Sequence, residues 1–140
     1  MKGNLMRNIG LIARCAALYR DTHLEHIGIS GYQAAYVLHI CRRPGIAQDR
    51  LAQNLHVNRS SVTRQLALLE EKGFITRERC EADKRVLCVY PTKEMQAVLP
   101  EVQACFRQWR EALTEGMQPA EIEIMEELLE RLALRAEELQ

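Results

Sequence analysis

Arg59, Ser60, Ser61, Thr63, Arg64 and Gln65 stand together directly after Asn58, in a segment whose other positions are apolar at helical spacing. Hydroxyls bond to phosphate oxygens or base edges. Arginine can grip guanine, and glutamine adenine, through paired hydrogen bonds. Asn58 is suited to cap the helix, and a helix N-terminus itself favours an anion. A merely solvated helix face more often carries Glu–Lys pairs; here the acids come only at the far end, as Glu70-Glu71. Further on, Asp83-Lys84-Arg85 makes a second basic cluster. An Arg–carboxylate pair has fixed geometry, so Asp83 can aim Arg85 at a minor groove. The chemistry of both clusters is that of contacting a nucleic-acid duplex.

Those side chains need elements to position them. The segment 51–66, Leu51 to Leu66, has the physics of a helix-turn-helix. One short helix is expected over Gln48 to Asn54, with Leu51, Ala52 and Leu55 inward and the small Ala52 allowing a close crossing. Val57 in the turn is expected to plug the angle between helices. A second helix is expected over Arg59 to Lys72, with Val62, Leu66 and Leu69 buried and Gly73 just past its end. Ile75–Cys80 and Arg85–Tyr90 are β-rich runs flanking the turn Glu81–Lys84, and read as one strand pair. Around this unit lie amphipathic helices. The first covers Leu5 to Leu24, with a stripe of Leu5, Ile9, Ile12, Ala16, Tyr19 and His23. The second follows Ser30 as N-cap and stops at Pro44-Gly45. A long helix follows Thr92, with Pro100 expected to kink it or make its first turns irregular. The last helix opens at Pro119, with a stripe of Ile122, Met125, Leu129, Leu132, Ala136 and Leu139. The stripes of the terminal helices can pack on each other or on a second copy of the chain; a two-fold dimer is the expectation.

The 140 residues suffice for one domain with a buried core. Net charge is zero, but its distribution is uneven. Residues 1–41 carry +2, 42–93 carry +5 and 94–140 carry −7. A duplex needs a locally positive surface, not a positive whole. No run approaches the roughly 20 apolar residues of a membrane span, and no signal segment opens the chain, so a cytoplasmic protein with no membrane partner is expected. The five cysteines are scattered, without a Cys-x-x-Cys pair, which argues against a disulfide framework or a structural zinc site. His23 and His26 have a His-x-x-His spacing that is common by chance, so no metal is assigned. There is no Gly-rich phosphate loop, no Gly-x-Ser-x-Gly and no His-Glu-x-x-His. Neither catalytic residues nor cofactors are assigned, and an enzyme is not expected.

The segment LAQNLHVNRSSVTRQLALLEEKGFITRERCEADKR, from Leu51 to Arg85, resembles the MarR family, the multiple-antibiotic-resistance-type regulators. The matching features are Leu51-Ala52, Thr63-Arg64, the exit Leu69-Glu70-Glu71-Lys72-Gly73-Phe74-Ile75 and the wing Asp83-Lys84-Arg85. Val86, Pro91-Thr92 and Glu94 depart from the family's usual Gly, Leu-Thr and Gly. The resemblance implies a mainly α fold with a β wing: a winged helix-turn-helix whose N- and C-terminal helices form a dimerisation region. A single domain would cover 1–140, with the DNA-binding region at 30–91 and dimerisation helices at 1–29 and 92–140. It implies a homodimer of triangular outline binding double-stranded DNA at a palindromic operator, by family habit as a repressor. The DNA contacts would come from Asn58, Arg59, Ser60, Ser61, Thr63, Arg64, Gln65, Asp83, Lys84 and Arg85. Some relatives bind phenolic or aromatic effectors, for which Tyr32, Tyr36 and His39 are the candidate pocket. Others sense peroxide, and Cys15-Ala16-Ala17-Leu18-Tyr19 is similar to their Cys-x-x-Leu-Tyr segment, making Cys15 with Tyr19 a candidate sensor. The alternative reading keeps the fold but makes the chain a protein-binding antagonist of another regulator, supported by its acidic C-terminal third.

Overall fold

A computed structural model describes residues 3–140 of the chain. The elements run α1 (Leu5–Leu24), a short 3-10 turn (Glu25–Ile27), α2 (Gly31–Arg42), β1 (Ile46–Ala47), α3 (Gln48–Leu55), α4 (Arg59–Glu71), β2 (Ile75–Arg79), β3 (Leu87–Pro91), α5 (Lys93–Leu113) and α6 (Pro119–Glu138). Fold class and helix order follow the sequence expectation closely.

Local chemistry explains the helix ends. Ser30 caps α2 in a reciprocal capping box: its hydroxyl accepts from the Gln33 N–H, and the Gln33 side chain accepts from the Ser30 N–H. Gly73 follows α4 with φ +84°, a left-handed conformation that a Cβ would oppose. α5 runs unbroken through Pro100. Proline removes the one hydrogen bond it would have given to the Gln96 carbonyl, and both residues are exposed there.

The sheet differs from the expected strand pair. It has three antiparallel strands in the order β1-β3-β2, with Ile46 opposite Val89 and Arg77 opposite Val89 on the other side. Two residues are too few for β1 to announce itself by alternation. The loop of the wing is also longer than expected, because β2 stops at Arg79 and β3 begins at Leu87. Cys80 and Cys88 are joined by a disulfide, which corrects the expectation that the cysteines stay unpaired. The hairpin folds back on itself, so two residues eight apart in sequence come to a Cα–Cα distance of 5.5 Å, within disulfide reach.

The chain divides into two compact units, residues 3–107 and 108–140. The core of the first draws on almost every element: Leu24, Val37, Ile40, Leu51, Val62, Leu66, Leu69, Val89, Met95 and Val102 are fully enclosed. Each such side chain contributes about 1.5–3 kcal/mol relative to exposure. That shared core ties the expected 30–91 region to α1 and to most of α5. α1 meets α2 at Gly31, where a Cβ would stand 2.3 Å from the Ala17 carbonyl oxygen. Only Ala16 and Leu24 of α1 are buried. The second unit holds the end of α5 and all of α6, none of whose residues is buried. Within it Arg110 is paired with Glu126.

Candidate nucleic-acid interface

The turn between α3 and α4 sets the angle at which α4 leaves the core. His56 sits at φ 54° and donates its N–H to the Ala52 and Gln53 carbonyls, closing α3 with a left-handed residue that is not glycine. Val57 N–H bonds back to Ala52 at 3.2 Å. Its side chain does not plug the angle as expected: it is 39% exposed, and Leu55 packs on the core instead. Asn58 then caps α4, its Oδ1 accepting from the Ser61 N–H and the Ser60 hydroxyl, each at 2.8 Å.

With Val62, Leu66 and Leu69 buried, the polar residues of α4 are turned outward. Arg59, Ser60, Thr63 and Arg64 are exposed, and Ser61 and Gln65 are half-buried. Arg59 reaches Asp49 at 3.6 Å, an open pair worth little by itself. Arg64 leans on the Ser61 hydroxyl at 3.4 Å. Thr63 gives its proton to the Arg59 carbonyl and accepts from Gln48 Nε2. Gln65 offers its side-chain oxygen to Gln33 rather than to the open face. Gln33, 2% exposed, in turn accepts from Lys72 Nζ.

Sequence reading missed Gln33, Gln48 and Arg77. The Arg77 guanidinium, only 18% exposed, donates to Glu70 at 3.0 Å and to the Gln48 side-chain oxygen at 3.5 Å. A polar chain thus runs from Glu70 through Arg77 and Gln48 to Thr63, joining strand β2 to both helices. The signal lay in the period-two pattern of β2, which turns Ile75 and Arg77 to one face. An arginine on the inward face implies a partner.

At the tip of the wing Arg85 forks onto Asp83. Nε meets Oδ1 and Nη2 meets Oδ2, both at 3.1 Å, while the Arg85 N–H also donates to Oδ1. These hydrogen bonds hold the Asp83 carboxyl below its usual range. The Arg85 side chain is nonetheless 90% exposed, so the fork is aimed outward.

A cleft of about 500 Å³ opens between α1, α2 and α4, lined among others by Arg20, Tyr32, Tyr36, Val57 and Arg64. Tyr36 is buried and its phenol is pushed up by that burial, while Tyr32 is exposed. His39, expected beside them, does not line the cleft. Arg20 lies over the Phe106 ring at 5.0 Å and donates to the Gly31 carbonyl. Cys15 is exposed on α1. Tyr19, one turn on, stacks on His23 with ring centroids 3.8 Å apart. His23 Nδ1 faces the Tyr19 carbonyl and His26 is engaged by Glu101, so the two imidazoles are held by different partners.

Residues 31–87, which span the helix-turn-helix and the wing up to β3, match the MarR family model. The chain is 28% identical over 129 residues to the HTH-type transcriptional regulator YybA of Bacillus subtilis, covering 92% of this chain and 86% of that protein. It superposes on the transcriptional regulator SlyA with a TM-score of 0.93 and 26% identity, across 97% of this chain and 96% of the other. In fold along most of its length, and in sequence over residues 31–87, the chain is similar to MarR-family regulators. Its fold is that of a winged helix, mainly α with a small antiparallel sheet. A further MarR-family structure, from Listeria monocytogenes and complexed with a 26mer DNA, shares the fold with a TM-score of 0.89 at 23% identity, across 95% of this chain and 89% of that one.

Proposed function

We propose that this chain is a MarR-type transcriptional regulator that binds a palindromic DNA operator as a homodimer and represses transcription there, with release by a small phenolic or aromatic anion. The observation that carries the reading is the joint exposure of the α4 face, around Arg59, Ser60, Thr63 and Arg64, and the forked Arg85 of the wing. α4 enters the major groove, with Asn58, Ser60 and Ser61 at its phosphate-facing start and Arg64 at base edges. Lys84 and the Asp83-aimed Arg85 reach the adjacent minor groove. Gln65, held by Gln33, contributes less than Arg64. The basic 42–93 region supplies the phosphate attraction. The region 30–91 reads DNA, while 1–29 and 92–140 supply the dimer, a division supported by the exposed apolar stripes of α1 and α6.

The effector binds the cleft between α2 and α4. Tyr32 and Tyr36 flank an aromatic ring, while Arg20 and Arg64 meet its negative charge. Arg64 belongs to both sites, so an anion in the cleft draws it away from DNA. A second route of release is oxidation at the exposed Cys15; replacing it with serine should then make DNA binding indifferent to an organic hydroperoxide.

The deciding test is fluorescence anisotropy with the DNA upstream of the chain's own gene and with random DNA, at two salt concentrations. Salt-sensitive binding that prefers the upstream DNA is expected. Absence of binding even at low salt would sink the reading and favour a protein-binding antagonist. A phenolate such as salicylate should weaken binding of the parent, and the Tyr36→Ala variant should not respond.

A further inference from the structure

The disulfide between Cys80 and Cys88 occupies a particular place in the wing. Cys88 lies in the central strand β3, buried, opposite Ala47 on β1 and Glu78 on β2. Cys80 follows the last residue of β2 and is half-buried. The bond therefore closes the loop where it leaves the sheet, and Asp83 and Arg85 lie inside that loop. The Cys80 N–H already donates to the Val86 carbonyl at 2.8 Å, so the hairpin is registered without the covalent tie. A core built from all the elements of the first unit does not need a staple either. A transcriptional regulator works beside DNA, in compartments kept reducing. There, persistent structural disulfides are rare and those that form are characteristically transient and redox-sensing.

We propose that Cys80 and Cys88 form a reversible dithiol–disulfide switch in the wing, and that the bonded state binds DNA more tightly. The proposal rests on the DNA-binding reading above. A closed loop holds Arg85 near its binding geometry, so less conformational freedom is lost on association. The oxidant is a low-molecular-weight disulfide of the glutathione class. The Cys80 thiolate, the more accessible of the two, attacks one sulfur of that disulfide, breaks its S–S bond and expels one thiolate. The Cys88 thiolate then attacks the Cys80 sulfur and expels the second. The two protein thiols lose two electrons and two protons in all, and the oxidant becomes two thiols. Excess dithiol reverses both steps.

The test uses the full chain with Cys15→Ser, Cys41→Ser and Cys105→Ala, so that only the wing pair can respond. Samples are equilibrated with oxidised and reduced glutathione in graded ratios. Bonding is read by thiol alkylation and mass, and operator affinity by anisotropy, in the same samples. The unsubstituted chain, reduced and oxidised, is measured in parallel in case the triple variant folds poorly. Affinity should follow the bonded fraction, with the bonded form roughly three- to tenfold tighter. Cys80→Ser should bind like the reduced form in every mixture, and Arg85→Ala should remove the redox difference. Equal affinity in two states that alkylation shows to differ would overturn the switch. So would failure of the bond to form in the most oxidising mixture, or a redox difference that survives Arg85→Ala. Loss of DNA binding in both states would overturn the DNA-binding reading and the switch with it.

Discussion

Arg85 is almost fully exposed at the wing tip, yet Asp83 fixes the direction of its guanidinium through two side-chain hydrogen bonds. Arg85→Ala should weaken operator binding by about 1–3 kcal/mol while leaving the circular dichroism unchanged, because the side chain supports no packing. Arg64→Ala should cost a similar amount and also relax preference at one base pair; Gln65→Ala should cost less. A titration of competitor operators against each variant separates the three. His39 gives a pH signature. Burial first, then neighbouring Arg42, hold its imidazole below the usual 6.5. The folded chain therefore takes up this proton at lower pH than the unfolded chain does. Stability is full above the unfolded value and falls as pH drops through the window between the two. Urea unfolding should show stability falling as pH drops below about 6.5, and the loss should be smaller in His39→Asn. An equal loss in the variant would assign it to other groups.

Helix ends and helix crossings govern the element scale. Asn58 satisfies two donors at the start of α4, and Asn58→Ala should destabilise the protein by about 1 kcal/mol in urea unfolding. Part of any loss of DNA affinity in that variant reflects fraying of the reading helix, so affinity and stability must be measured together. Gly31→Ala places a methyl carbon against the Ala17 carbonyl, backbone that cannot swing aside. A destabilisation of about 1–3 kcal/mol is expected. A melting temperature unchanged from the parent would mean that α1 and α2 can move apart freely. Between the elements, the chain Glu70–Arg77–Gln48–Thr63 makes the orientation of α4 depend on a strand residue.

At the scale of the whole molecule, apolar side chains stay uncovered on two helices. Ile124, Leu128, Leu129, Leu132 and Leu134 of α6 are exposed, as are Leu5, Met6, Leu11, Ile12 and Leu18 of α1. An exposed apolar stripe on a helix, as on each of these two, marks an interface. In a two-fold dimer every contact is made twice. Leu132→Glu should therefore shift sedimentation from dimer toward monomer and abolish tight operator binding, with α4 and the wing untouched. A dimer that persists at micromolar concentration would place the interface elsewhere.

Much of this was legible in the sequence because it is local. The limits of α1, the caps Ser30 and Asn58, the role of Gly73 and the polar face of α4 depend on periodicity and on bonds to backbone a few residues away. The Asp83–Arg85 fork is equally local, two residues apart. What escaped the sequence is long-range. β1 is two residues whose partner, β3, lies about forty positions later. Arg77 finds Gln48 and Glu70 only after β2 folds beside the two helices, and Gln33 meets Gln65 and Lys72 only across the core. The cysteines show the same division. Sequence determined where Cys80 and Cys88 lie along the chain, but the fold-back of the hairpin decided that they meet. His39 left the cleft for a related reason: the packing of α2, and not its spacing from Tyr36, decided which of its sides the cleft opens onto. Sequence alone determined the elements and their chemistry, because those follow from near neighbours; tertiary structure decided which distant side chains become partners, because only packing brings them within bonding distance.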